Sequence, residues 1–522
     1  MSIEILSSLQ KARLEYKPKV PEVLKHLKML TLQHLEGFEV KEEISRLFPH
    51  LFKDRRITFA LGIHNEFNIK KVGVVFSGGQ APGGHNVITG IYDALQELNS
   101  EGVLYGFLGG PSGIINNQYK ELNAQSLALY RNQGGFDLIG SGRAKIETDI
   151  QLKTTLDNVV KLQLDGLIII GGDDSNTNAA VLAEYFKKQS CKTCVIGVPK
   201  TIDGDLKNAF VETSFGFDTA CKVYSEGIGN IQRDALSAKK YTHFIRLMGR
   251  SASNIALECA LQTQPNLTII GEEVAEEKKT LKQITDEIAD LVVARSVAGK
   301  NYGTILIPEG LIEFIPEVKS LIQELNISSN LTPSASVCFQ LFPKNIQEQL
   351  LKERDPHGNL QVALIETEKL FIALVSEELK KRAIEGSFSG VFTPQAHFFG
   401  YEGRAALPSN FDSDYCYSLG RLALLLVSNH LSGYMCAIQN LKENSLNWQV
   451  GAIPLVPLLV MEVRNGKKRP VIQKALVDLK GKAFNQFASH RKKWQVNDAY
   501  KSPGPIQFFG PEDLTDERVL SL

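Results

Sequence analysis

Short apolar runs that alternate with helical periods constrain this chain more than any other feature. From Lys71 onward the runs are Val72–Phe76, Val103–Leu108, Leu167–Ile170 and Cys194–Val198, and helical stretches such as Asn86–Leu98 and Thr154–Leu162 lie between them. Continuous Val/Ile/Leu runs of this length, separated by helices, predict an α/β protein with a mostly parallel sheet. A second set of strands is expected at His243–Met248, Leu267–Ile270 and Thr304–Ile307, followed by a long, mainly helical stretch between Glu309 and Phe398.

In open parallel sheets, ligands gather at the carboxyl ends of the strands. The run Leu167–Ile170 ends in Gly171-Gly172-Asp173-Asp174-Ser175, and a helical pattern follows. A strand ending in Gly-Gly brings bare backbone N–H groups and a helix N-terminus to one point, which suits phosphate. Two adjacent carboxylates are wrong for phosphate unless a cation lies between. The segment therefore asks for Mg2+, with Asp173 placed to hold it directly or through water. An N-cap followed by a first-turn acid is the plain structural alternative. Phe76 to Asn86 supplies a second turn, in which Gly78, Gly79, Gly83 and Gly84 let backbone approach an anion. Its spacing fits neither the Walker A loop nor the dinucleotide fingerprint.

Other turns add charge. Gly140 to Lys145 carries Arg143, which can clamp a phosphate through two N–H groups, and Lys145, a point charge. Pro199 to Leu206 carries Lys200, Thr201, Ile202, Asp203 and Asp205. An aspartate there can accept a hydroxyl proton during phosphoryl transfer, although Asp-Gly-Asp is also an ordinary turn. Met248-Gly249-Arg250, Pro308-Glu309-Gly310 and Gly400-Tyr401-Glu402-Gly403-Arg404 complete the series. Arg250 and Arg404 are candidates for a sugar phosphate and the transferred phosphoryl group, and Glu309 for sugar hydroxyls.

Composition excludes other classes. The 522 residues carry 58 basic and 58 acidic side chains, so no global field favours nucleic acid or an anionic membrane. The clusters Lys467-Lys468-Arg469 and Arg491-Lys492-Lys493 read as solvated faces. No window reaches the roughly 18 apolar residues of a membrane span, and residues 1–30 show no signal-peptide pattern. Seven scattered cysteines point to a reducing, cytoplasmic setting, and Cys191-Lys192-Thr193-Cys194 lacks the second pair that a zinc site requires.

Taken in order, SGGQAPGGHNVI, GSGRAKIET, GGDDSNTN, PKTIDGDL, LMGRSASNIALE, IIGEEV, ILIPEGLIEFIPEV and HFFGYEGRAALPS make the chain resemble the phosphofructokinases, in their long, pyrophosphate-dependent form. The resemblance runs from about Lys71 to at least Leu419. It implies two Rossmann-like domains with mostly parallel sheets, an N-terminal helical extension over residues 1–70 and a helical insertion at about 312–392. The donor domain, for pyrophosphate and Mg2+, would span 71–213 and be completed by 408–480. The sugar-phosphate domain would span 214–407, and a tail 481–522. The implied reaction is reversible, Mg2+-dependent transfer from pyrophosphate to the 1-hydroxyl of fructose 6-phosphate. The implied assembly is a homodimer with active sites near the subunit interface. An ATP-dependent 6-phosphofructokinase and a non-catalytic regulatory subunit are the alternatives.

The same resemblance assigns roles. Gly79 and Gly172 would contact the donor, Arg143 and Lys145 lie near its phosphates, and Asp173 is the Mg2+ residue. Thr201, Ile202, Asp203 and Asp205 belong to the segment that holds the sugar, with Asp203 as proton acceptor. Met248, Gly249, Arg250 and Glu309 also meet the sugar, and Tyr401, Glu402, Gly403 and Arg404 its 6-phosphate. Lys240 and Tyr241 lie where a neighbouring subunit reaches into the site. Glu272 falls near the effector-site region of allosteric relatives, but the rest of that site is not recognisable. Two positions speak to the donor. ATP-using relatives generally have Gly where this chain has Asp174, whose carboxylate would occupy the place of a nucleotide α-phosphate and repel it. Lys200 stands where those relatives commonly have Gly, and its ammonium can stabilise charge on pyrophosphate. Catalysis is expected to rest on Asp203, Lys200, Asp174 and Arg250.

Overall fold

The computed structural model describes residues 6–327, 330–354, 360–464, 467–511, 515 and 518–522; the first five residues of the N-terminal extension and parts of the tail lie outside this set. The strands in chain order begin with β1 (Leu30–His34), β2 (Ile57–Leu61), β3 (Lys71–Ser77), β4 (Val103–Phe107), β5 (Tyr119–Leu122), β6 (Ser141–Gly142), β7 (Gly166–Gly171) and β8 (Cys194–Pro199). They continue with β9 (Thr242–Leu247), β10 (Leu267–Thr268), β11 (Gly303–Pro308), β12 (Pro394–Phe399), β13 (Tyr434–Gln439), β14 (Gln449–Pro454), β15 (Leu459–Arg464) and β16 (Lys467–Ile472).

The first sheet runs β1-β2-β14-β13-β8-β7-β3-β4-β5, with β6 beside the end of β3. Its centre, from β4 through β3, β7 and β8 to β13, is parallel. Every residue of β7 and β8 is buried, because helices cover both faces of a parallel sheet. The second sheet, β10-β11-β9-β12, is parallel throughout. Its inner strands β9 and β11 are wholly buried, whereas the edge strand β12 exposes Gln395 and Ala396. The helices Pro316–Ile327, Pro333–Gln340, Lys344–Lys352 and Thr367–Ile384 bury Leu321, Ile346, Leu370 and Phe371 in one cluster with Ile305 and Ile307 of β11.

The C-terminal third returns to the first sheet through the helix Asn410–Ser428, which crosses the helix Gly84–Leu98. A Cβ on Gly90 would overlap the Tyr417 carbonyl, and one on Gly420 the Val87 carbonyl, so this close crossing requires glycine on both helices. Leu419, Leu422, Leu424, Leu425 and Leu426 are completely buried there. Each contributes roughly 1.5–3 kcal/mol by leaving water. The chain is thus delivered to β13 and β14, which extend the sheet beyond β8.

Residues 1–70 are only partly helical. Ser8–Glu15 and Glu42–Leu47 are helices, but β1 and β2 pair antiparallel with Leu32 opposite Phe59, and β2 joins β14 with Thr58 opposite Gly451. Ile57 and Phe59 turn into the core while Thr58 and Ala60 do not, the period of two that a half-buried strand requires. The first helix is fastened by Arg13, which is wholly buried and donates to Asn410 Oδ1 at 2.8 Å, Pro408 O at 3.1 Å and Ser413 Oγ at 2.8 Å.

The polar tail also holds a helix, Lys482–Val496, which turns Phe484, Phe487 and Trp494 inward. Three side chains of the basic clusters are paired rather than merely solvated. Lys468 lies 3.5 Å from Glu43. Arg491 donates to both carboxylate oxygens of Glu273 at 2.7 Å, and Arg469 lies 2.7 Å from Glu147. No described helix is long and apolar enough to cross a membrane.

Candidate active site

The carboxyl ends of β3, β7 and β8 face those of β9, β11 and β12 across a cleft, and the two sides touch. The Arg404 guanidinium, just after β12, lies where a Cβ on Gly79, just after β3, would have to go.

On the first side, Gly172 is the N-cap of the helix Asp173–Lys188, and Ser175 Oγ donates to Ser77 Oγ at 2.7 Å, tying that helix to the end of β3. Asp173 opens the helix. Its Oδ2 is buried and accepts no hydrogen bond; the nearest cation is Lys474, with Nζ 3.7 Å away. Burial pushes the Asp173 pKa up, Lys474 works against the rise, and Asp174 and Asp205 add to it. Asp174 leaves the same turn in another direction, and its Oδ1 lies 3.4 Å from Lys145 Nζ. Arg143 is exposed at the rim, two residues before Lys145.

Lys200 follows β8. Its backbone N–H donates to Gly171 O at 3.0 Å, and its buried Nζ comes within 3.3 Å of where a Cβ on Gly78 would lie. Burial pushes its pKa down to about 8; Asp203 opposes the shift and Arg404 adds to it. The Asp203 N–H donates to Thr201 Oγ1 at 3.0 Å while Ile202 is buried, which fixes the turn. Burial pushes Asp203 up to about 7, with Asp205 and Glu309 adding and Lys474 and Lys200 opposing. Asp205 Oδ2 lies 3.6 Å from Lys474 Nζ, and its carbonyl accepts from Ala475 N–H at 2.7 Å.

On the second side, Met248 N–H donates to Phe399 O at 2.9 Å and joins the ends of β9 and β12. Gly249 N–H donates to Glu309 Oε2 at 3.2 Å. Burial raises the Glu309 pKa, against the Gly249 N–H and Arg246. Arg246 is itself buried, 2.6 Å from Glu368 through Nε, 3.9 Å from Glu309 and 3.9 Å above the Phe398 ring. Arg250 is exposed, with Nε 3.9 Å from Glu313. In the turn after β12, Glu402 accepts from Gly400 N–H at 3.0 Å, and Gly403 fits against Tyr224, whose hydroxyl donates to Gly400 O at 2.5 Å. Tyr401 is exposed, and the Arg404 guanidinium lies 5.6 Å from its ring centre.

The two sides bring together Gly79, Lys145, Gly172, Asp173, Asp174, Lys200, Asp203, Asp205, Gly249, Glu309 and Arg404. Lys240 and Tyr241 are not among them. They precede β9, at the opposite end of that strand from Met248, about 20 Å away at the rise of an extended chain. Lys474 is the residue that the sequence reading missed: it lies between Asp173 and Asp205 but comes from a segment with no glycine turn. Glu272, noted for its place near an effector region, is buried and accepts from Ser253 N–H at 3.0 Å and Val477 N–H at 2.9 Å, so it ties loops together.

On one side this cleft carries a helix N-terminus, a buried carboxylate oxygen that accepts no hydrogen bond, and an aspartate, Asp203, whose pKa burial raises. On the other it carries a glutamate, Glu309, whose pKa burial raises, and a charged turn. Such an arrangement can move an anionic group from a donor on the first side to a hydroxyl on the second.

Residues 71–424 match the family described as phosphofructokinase. Over 99% of its length the chain is 49% identical to the pyrophosphate–fructose 6-phosphate 1-phosphotransferase of Porphyromonas gingivalis, of which 98% is covered. It is 51% identical, again over 99% of its length, to subunit beta 2 of the Arabidopsis thaliana protein of that name, of which 94% is covered. Among solved structures, a pyrophosphate-dependent phosphofructokinase from Nitrosospira multiformis superposes with a TM-score of 0.57 at 16% identity, covering 83% of this chain and 93% of that one. At that identity the likeness is one of fold.

Proposed function

This chain belongs to the phosphofructokinase family, and we propose that it transfers a phosphoryl group reversibly from pyrophosphate to the 1-hydroxyl of fructose 6-phosphate, giving fructose 1,6-bisphosphate and phosphate. The structural observation that carries the choice of donor is Asp174. A carboxylate on the first turn of the donor helix, 3.4 Å from Lys145, supports this reading, in which it would oppose a nucleotide's α-phosphate by charge and volume. Relatives that share about half of its residues over nearly the whole chain bear the name of the same reaction.

In this reading pyrophosphate lies against Gly79 and Gly172 at the N-terminus of the Asp173 helix, with Arg143 and Lys145 near its phosphates. Asp173 would hold Mg2+, which neutralises charge on the donor oxygens. The buried, hydrogen-bond-free Oδ2 fits that duty. Among the described residues no cluster of three His, Cys, Asp or Glu could hold an ion, so Mg2+ would draw its other ligands from phosphate and water.

Thr201, Ile202 and Asp205 shape the turn that presents Asp203. Asp203 accepts the proton of the 1-hydroxyl as the new O–P bond forms, and burial has already made it a stronger base than an ordinary carboxylate. Lys200, against Gly78, offsets charge on the transferred group. Met248, Gly249 and Glu309 meet the sugar; Arg250, Tyr401, Glu402, Gly403 and Arg404 surround its 6-phosphate. Positioning and electrostatics supply most of the catalysis. Lys240 and Tyr241 serve the site of a second copy, which makes the working unit a homodimer. Seven free cysteines support a cytoplasmic location.

A coupled assay of the purified chain with fructose 6-phosphate, Mg2+ and either donor tests the proposal. Turnover with pyrophosphate and little with ATP is expected. Turnover with ATP alone would make it an ATP-dependent kinase, and turnover with neither a regulatory subunit.

A further inference from the structure

After β16 the chain leaves its hairpin and runs between the two sides of the cleft. Ile472 N–H donates to Thr177 Oγ1 on the donor helix at 2.9 Å. Ala475 N–H donates to Asp205 O at 2.7 Å, and Ala475 O accepts from Asn254 Nδ2 at 3.4 Å. Val477 N–H donates to Glu272 Oε1 at 2.9 Å. Within six residues this strap therefore touches the donor helix, the Asp203 turn and the sugar side in succession.

Lys474 stands in the middle of the strap. Its Nζ donates to Ser251 Oγ, next to Arg250, at 2.6 Å, and lies 3.7 Å from Asp173 Oδ2 and 3.6 Å from Asp205 Oδ2. Both carboxylate distances are beyond hydrogen-bond reach. The ammonium therefore neutralises Asp173 without taking the lone pair that a metal ion would use. Its one hydrogen bond is made on the sugar side, while its charge acts on the donor side.

We propose that Lys474 is a positioning residue for transfer, holding Asp173 and the Ser251 turn in register across the cleft. The proposal rests on the reading of this cleft as a phosphoryl-transfer site. Transfer demands that donor and hydroxyl lie in line, and a misplacement of 1 Å can cost about a hundredfold in rate. Removing the ammonium has two opposite effects. It leaves Asp173 and Asp205 with more uncompensated negative charge, which favours a divalent cation. It also releases the link that aligns the two sides. Cation affinity should rise while turnover falls, a split that a purely structural lysine would not produce.

The test uses the full chain with Lys474→Met and Lys474→Arg. Turnover is measured with pyrophosphate, fructose 6-phosphate and Mg2+, and Mn2+ binding without substrates by electron paramagnetic resonance. Lys474→Met should lower kcat about a hundredfold, leave KM for pyrophosphate within a small factor, and bind Mn2+ several-fold more tightly. Lys474→Arg should recover a substantial part of kcat. Wild-type kcat in Lys474→Met overturns the proposal. So does a slow Lys474→Met with unchanged or weaker Mn2+ binding and a lowered melting temperature, which would mean damage to the strap alone. If the wild-type chain does not use pyrophosphate, the proposed reaction fails, and the Mn2+ measurement still decides whether Lys474 neutralises Asp173.

Discussion

The guanidinium of Arg404 rests on the α-carbon of Gly79, so the turn after β12 of one sheet is in contact with the turn after β3 of the other. Gly79→Ala should push Arg404 away, because a Cβ would occupy the guanidinium's place. The arginine end is flexible, so the fold survives. The expected outcome is a rise in KM for both substrates and a kcat lowered at least about tenfold, with the melting temperature nearly unchanged. Steady-state kinetics and a thermal melt check it.

The pH dependence of kcat/KM should have two limbs. As the proposed proton acceptor Asp203 must be ionised, and burial raises its pKa to about 7, so activity should rise as pH climbs through that value. Lys200 must be charged, and burial lowers its pKa to about 8, so activity falls above it. Lys200→Arg should move the alkaline limb upward, which a pH–rate profile will show.

Asp203→Asn should lower kcat by about 10²–10⁴-fold yet stabilise the protein at alkaline pH. A carboxylate whose folded pKa is raised binds more protons when folded, so its contribution to stability is lost as pH rises from the ordinary carboxylate range through about 7. The melting-temperature gain of Asp203→Asn over wild type should therefore be larger at pH 8 than at pH 5.

Asp174→Gly should admit ATP. The substitution removes the carboxylate proposed to oppose an α-phosphate, together with its 3.4 Å pairing with Lys145. Equal ATP turnover in wild type and variant would reject this account of donor choice.

Arg246→Met should cost about 3–5 kcal/mol of stability, because it leaves buried Glu368 without its cation and removes one of those near Glu309. A denaturant titration measures the loss.

That Asp173, Asp203, Glu309 and Arg404 converge on one cleft was legible in the sequence, because each stands a few residues past a strand apolar enough to recognise. The parallel core was legible for the same reason: β7 and β8 are buried on both faces and carry no alternation to confuse them with surface strands. Lys474 was not legible. It sits in Val-Ile-Gln-Lys-Ala-Leu, and its hydrogen-bond partner Ser251 is 223 residues away, so only the tertiary fold gives it a role. The strands β1 and β2 were hidden differently. Each is five residues long, and β2 turns only Ile57 and Phe59 fully inward, too little alternation to stand out among amphipathic helices.

The strand order of the first sheet has a consequence for how the chain is made. β8 is complete at Pro199, but its neighbour β13 begins at Tyr434, so the ribosome must add residues 200–433 before that edge can be covered. At ordinary elongation rates the wait is roughly ten to fifty seconds. A β8 edge formed before then would show unpaired N–H and C=O groups on an apolar strand. β1 and β2, made first of all, wait still longer for β14. A chain ending before residue 434 would lack the strand that pairs with Ile196 and Gly197 of β8.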